Sequence, residues 1–157
     1  MSALEANQLA EFSRAVREST LKRLRRVPAG KENWRIAEET MSFADVAQHL
    51  CDADLWLFEK LQNASLPPLR GAAHRVITTD RNDYLAILGE LAQTGRRRAA
   101  LLEGMTADRL SEKLFDHRFG GPVTVWWIIV RGNLDHEIHH RGQIAAFLRI
   151  VERDGPA

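Results

Sequence analysis

The sequence is short of cysteine: Cys51 stands alone in 157 residues. No intrachain disulfide can form, which fits a reducing compartment. Excess charge is also missing. Lys and Arg number 22 against 21 Asp and Glu, a formal net charge of +1 at pH 7. That balance gives no electrostatic case for nucleic acid or a membrane surface as partner. Long hydrophobic runs are absent as well. The most apolar stretch, Val123 to Val130, is too short to span a bilayer. The start, Met1-Ser2-Ala3-Leu4, lacks the basic region and apolar run of a signal peptide. A cytoplasmic protein is expected. No glycine-rich phosphate loop, serine-nucleophile elbow, internal repeat, low-complexity segment or alternating strand is evident.

What remains reads as a single all-α domain over residues 1–157, long enough to bury a core. Four long helices account for most of it. The first spans about Leu4 to Arg26, with Leu9, Phe12, Val16 and Leu24 near helical spacing. Val27-Pro28-Ala29-Gly30 ends it, and a connection containing Trp34 follows. Ser42 caps the second helix, with Asp45 completing an approximate capping box. Its stripe is Phe43, Val46, Ala47, Leu50, Ala53, Leu57 and Leu61, and Leu66-Pro67-Pro68 lies beyond its end near Asn63. The third begins at Thr79 or Asp80, presents Tyr84, Leu88, Leu91, Gly95, Ala99 and Leu102, and closes at Gly104. Arg96-Arg97-Arg98 on it reads as a solvated face. Met105 to Pro122 reads as loop, with Gly120-Gly121-Pro122 its strongest breaker. The fourth helix is capped by Thr124 and runs to about Val151. Four helices with two long connections make a bundle.

The last helix carries the chemistry. One face reads Ile129, Gly132, Asn133, His136, His140, Gln143, Phe147 and Ile150. A second reads Trp127, Val130, Leu134, Ile138, Ala145 and Leu148, so neighbours must wrap the helix. His136 and His140 lie four residues apart, one above the other on a helix. Paired histidines are also common on solvated faces. Here the pair interrupts an apolar face, where buried polar groups need partners, and one metal ion would satisfy both imidazoles. His49, beside the stripe of the second helix, is the candidate third ligand, with Trp56 further along the same side. Asp52, three residues on, could orient an imidazole or a bound water, or be an exposed acid. His139 is assigned to the surface or to a supporting role, and His74 and His117 to loops. Cys51 reads as a small buried residue, neither ligand nor nucleophile.

Two motifs resemble those of the DinB/YfiT-like family of four-helix-bundle metalloproteins. One is Ser42-Phe43-Ala44-Asp45-Val46-Ala47-Gln48-His49-Leu50, continuing through Asp52 to Trp56. The other is His136-Glu137-Ile138-His139-His140-Arg141-Gly142-Gln143-Ile144, ending in Phe147-Leu148-Arg149. The second is the more specific, because the family's last helix typically carries a histidine, three residues, then His-Arg-Gly-Gln. The order of elements agrees along nearly the whole chain. The resemblance implies a divalent metal, zinc or nickel, on His49, His136 and His140. It also implies a homodimer. Family members include transferases of low-molecular-weight thiols, and an isomerase.

The expected function is therefore a metal-dependent thiol S-transferase acting on a small electrophile. A small-molecule thiol and the electrophile are its partners, and Asp52 or Gln143 positions the bound group. The alternatives are a hydrolase using water at the same metal, and a bundle that binds metal without catalysis. A pocket beside the metal separates the enzymes from the structural reading, which needs a fourth protein ligand.

Overall fold

Helix α1, Ala3–Arg25, starts at a capping box in which Ser2 and Glu5 exchange side-chain and backbone hydrogen bonds. The structure, a computed structural model, describes residues 2–154. Helix α2, Phe43–Lys60, opens on the expected box: Ser42 Oγ accepts the Asp45 N–H, and Asp45 Oδ2 accepts the Ser42 N–H, each at 3.0 Å. Asp45 also accepts the N–H groups of His74 and Val76 and an Arg35 N–H. One buried carboxylate thus ties both long connections to the start of α2. Helix α3, Arg81–Glu103, is capped by Asp80, and Gly104 follows its last turn.

Helix α6, Asp135–Arg153, completes the bundle. Helix α1 packs on α3 and α6, and α2 packs on the same two. The chain therefore crosses a diagonal of the bundle between α1 and α2 and again between α3 and α6. Those crossings account for two of the long connections.

The second crossing corrects an expectation. Met105 to Pro122 is not merely loop. It holds a short helix α4, Ala107–Ser111, and an antiparallel hairpin of β1, Lys113–Asp116, with β2, Gly121–Thr124. Four-residue strands are too short to show alternation in a sequence. The turn falls at the Gly120-Gly121-Pro122 breaker, and the φ of 74° at Gly120 suits glycine. Lys60 anchors the hairpin, its buried ammonium donating to the Phe115 and Ala64 carbonyls.

Thr124 ends β2 and caps helix α5, Val125–Ile129. A π turn, Val130–Leu134, joins α5 to α6, and the Asp135 N–H reaches back to the Val130 carbonyl. The extra residue breaks the helical phase. Trp127 is consequently exposed while Leu134 is buried, although they lie seven residues apart. The two-faced reading of the last helix is corrected accordingly. Its buried seam past the turn is Leu134, Glu137, His140, Ile144, Leu148 and Val151.

The first helix is corrected too. Phe12 is exposed, and the buried stripe is Ala6, Ala10, Ser13, Val16, Arg17, Thr20, Leu21 and Leu24. Small and polar residues dominate it because α1 faces a polar layer. Nor is Arg98 solvated; it is fully buried.

That layer takes one charged side chain from each long helix: Arg17, Asp54, Arg98 and Glu137. Arg17 Nε and one terminal nitrogen donate to the two Glu137 oxygens, each at 2.9 Å. Its terminal nitrogen also donates to Asp54 at 2.7 Å. Arg98 donates to Glu137 at 2.6 Å, to Asp54 at 3.1 Å and to the Asn133 side-chain oxygen at 3.0 Å. Ser13 and Thr94 complete the hydrogen bonding. Among the described residues no buried side-chain nitrogen or oxygen lacks a partner. Burial would raise the Glu137 pKa, but the Arg98 and Arg17 guanidiniums override it and hold the carboxyl at about 2. The layer separates two apolar clusters, one around Leu24, Phe43, Leu50, Leu91 and Ile144, the other around Leu57, Leu102, Ile128 and Leu134.

Removing one member strands its partners without solvent. Arg98→Met is expected to cost about 3–5 kcal/mol of unfolding free energy, measured by urea denaturation. A loss below about 1 kcal/mol would contradict the assignment of a buried ionic layer.

Candidate metal centre

His49 on α2 and His136 and His140 on α6 meet above the polar layer. The Nε2 atoms of His49 and His136 are 2.9 Å apart, and those of His136 and His140 3.1 Å. One nitrogen from each of the three lies within 4.8 Å of the others. Two nitrogens on a tetrahedral zinc, each at ~2.0–2.1 Å from it, would sit about 3.3 Å apart. The two separations that His136 makes suit a shared cation, and the His49 and His140 nitrogens, within 4.8 Å of each other, need at most a small closing movement to join it.

Proton counting reaches the same result. The His140 Nδ1 lies 2.8 Å from Gln143 Oε1, so Nδ1–H is assigned as the donor and Nε2 is left with a lone pair. His136 Nε2 faces two imidazole nitrogens but can carry one proton, which satisfies one contact. A positive ion satisfies all three. The rings are held to that choice by their surroundings. Gly71 lies over His49, where a Cβ would approach the imidazole to 3.2 Å.

Burial lowers the basicity of all three. His136 is brought down to about 3, by desolvation first and then by the neighbouring imidazoles and Arg118. His140 falls to about 4 through desolvation and His49, partly offset by the Gln143 hydrogen bond. His49 is lowered by desolvation, against the pull of Asp52. All three are thus neutral near pH 7, the form that can ligate.

A cavity of about 80 Å³ adjoins the cluster, bounded by His49, Ala53, Trp56, Leu69, Arg118, Gly132, Asn133 and His136. A second cavity of about 370 Å³ shares Arg118, Gly132 and His136 with the first and runs past Phe119, Arg131 and His139. Among the described residues no fourth His, Cys, Asp or Glu joins the cluster.

The sequence of residues 13–144 matches the family described as the DinB superfamily. The chain belongs to the DinB superfamily. Its fold is similar to a crystal structure of a DinB-like protein, YjoA, from Bacillus subtilis. That likeness has a TM-score of 0.67 at 19% identity and covers 92% of each chain. No curated protein matches the sequence.

This DinB bundle brings together the three histidines singled out by spacing. Gln143 also belongs to the site, oriented on His140. Asp52 takes another position: it accepts from Gln48 and Arg75 and makes no hydrogen bond to His49. His139 is exposed and lines only the outer cavity. His117 packs edge-on against Phe115, and His74 bonds the Glu38 carbonyl. Cys51 is buried, and desolvation pushes its thiol well up, which keeps it inert. Among the described residues no helix is long and apolar enough to cross a membrane.

Arg118 and Asn133 line the site without having been anticipated. Asn133 was read onto the His136–His140 face of the last helix, without a role. Arg118 gave no sequence signal, because a hairpin too short to show periodicity carries it there.

The depressed basicity has a measurable consequence. An unfolded chain takes up protons on histidine near pH 6.5, whereas folded His136 and His140 resist to about 3 and 4. Metal-free protein should therefore lose stability as pH falls from 7 to 5, by about 1–2 kcal/mol for each of the two. Urea midpoints in chelator would show it. The fall should shrink in His136→Asn/His140→Asn, and an identical fall in that variant would contradict neutral burial.

Proposed function

We propose that this DinB protein holds one divalent metal, zinc or nickel, on His49, His136 and His140, and acts as a thiol S-transferase on a small electrophile. The observation that carries the reading is the convergence of three imidazole nitrogens beside a cavity, with no fourth His, Cys, Asp or Glu joining them among the described residues. Three ligands and an open position favour a catalytic over a structural metal site. Imidazole donors suit both proposed metals.

A divalent ion held by His49, His136 and His140 would supply one thing: a lowered pKa for a thiol bound to it, and so a nucleophile at neutral pH. The chain does the rest. His140 is kept in one tautomer by Gln143. Ala53, Trp56 and Leu69 provide apolar walls that limit water around the thiol. The thiol's proton passes to solvent, its sulfur bonds to the electrophilic carbon, and the leaving group departs with the bonding electrons.

The proposal extends to a cytoplasmic homodimer. Support comes from large apolar side chains left exposed. Leu55 on α2 and Leu85 on α3 are such residues, while Trp126 and Trp127 form an adjacent pair on α5. The tryptophan pair is the better candidate face. A stable contact should bury at least about 1,000 Å² in total, and light scattering at tens of micromolar should report a dimer. A monomer at that concentration would refute it.

Elemental analysis tests the site. Purified protein is expected to carry close to one equivalent of metal. His136→Ala and His140→Ala should each lose most of it, and His139→Ala should lose little. Equal loss in all three variants would refute the ligand assignment. A screen of thiols against electrophiles with the native metal loaded then tests the chemistry.

A further inference from the structure

Arg118 is the group at this site that neither the histidines nor the bundle core explains. It lines both cavities, as Gly132 and His136 do. Its guanidinium has five N–H donors. Nε and one terminal nitrogen hold Asp116, at 3.0 and 2.7 Å, and the other terminal nitrogen holds the Gly132 carbonyl at 3.1 Å. Two N–H groups therefore remain, one on each terminal nitrogen.

The guanidinium is also fixed before any ligand arrives. It lies 4.4 Å from the centre of the Trp56 ring and 5.2 Å from that of Phe119. Gly132 makes the seat possible: a Cβ there would come within 2.7 Å of a terminal nitrogen. Arginine so restrained loses little further freedom on binding.

Charge around the site points the same way. Imidazole ligands carry no negative charge, so a divalent ion held by three of them would keep its two positive charges. The nearby acids are already committed. Asp54 and Glu137 pair with Arg17 and Arg98, Asp52 with Arg75, Asp135 with Arg131, and Asp116 with Arg118 itself. Each of these five carboxylates is thus already balanced by an arginine.

Resting on the metal reading above, we infer that the site takes a small thiol bearing a carboxylate, with Arg118 as the residue that selects it. The carboxylate accepts the two spare N–H groups, and the sulfur reaches the three-histidine position. A carboxylate, charged and with two oxygens, suits guanidinium N–H donors better than a hydroxyl does. Arg118 is thus a specificity determinant on the hairpin, and the chemistry remains with the histidine site.

The test uses the full chain loaded with cobalt(II), whose absorption bands report the bound metal and any thiolate added to it. The probes are mercaptoacetate and 2-mercaptoethanol, which differ in the terminal group. Wild-type protein should bind mercaptoacetate about tenfold or more tightly than 2-mercaptoethanol. Arg118→Met should erase most of that preference, bringing mercaptoacetate to within about twofold of 2-mercaptoethanol, while the cobalt bands still develop. Gly132→Ala, which keeps the charge but crowds the guanidinium from its seat, gives a second reading should Arg118→Met fold poorly. Equal affinities in the wild type, or a preference that survives both substitutions, would overturn the inference. Failure of the cobalt bands to develop in wild-type protein would instead overturn the metal reading beneath it.

Discussion

Four buried charges, one from each long helix, set the geometry on which everything else depends. Arg17, Asp54, Arg98 and Glu137 neutralise one another within the bundle. Apolar packing tolerates sliding and rotation of helices, because one methyl contact resembles another. A bidentate arginine–carboxylate contact does not, since it fixes both distance and direction. Hydrophobic residues of similar volume could give equal or greater stability. What the ionic layer adds is registry: each helix has a single rotation that satisfies its charge.

That registry reaches the histidines directly. Glu137 is the residue after His136 on α6, and Asp54 lies five residues beyond His49 on α2. Holding the two carboxylates between the same two guanidiniums holds α2 and α6 in the rotation that lets three Nε2 atoms meet. Asn133 joins the layer to the cavity, accepting from Arg98 while lining the space beside His136. The π turn then frees the chain before Asn133 to follow a different phase. As a result α5 covers the lower apolar cluster, and Gly132 presents its carbonyl to Arg118.

The long helices were legible because their apolar residues recur with a period near 3.6, and the histidines because of where they fall on those faces, whereas the phase of the last helix was not, because the π turn breaks it. Capping residues Ser42, Asp80 and Thr124 were legible for a local reason, being side chains that bond the next turn's N–H. The ionic layer was not recognised, though its positions were visible. Asp54 falls between Leu50 and Leu57, and Arg98 between Leu91 and Leu102, on stripes otherwise apolar. Charge alone suggested solvent, and only the four together satisfy one another. The hairpin and Arg118 are a different case. Their position depends on the pairing of Lys113–Asp116 with Gly121–Thr124 and on the Lys60 anchor. Neither leaves a periodic trace.

The central claim is that three imidazoles, each through Nε2, hold a single ion with an open position. X-ray absorption at the edge of the bound metal tests it most directly. The account predicts a shell containing three imidazole nitrogens at ~2.0–2.1 Å if the metal is zinc, with the outer-shell scattering of their rings and no sulfur. A shell dominated by carboxylate oxygen, or one containing the Cys51 sulfur, would contradict it.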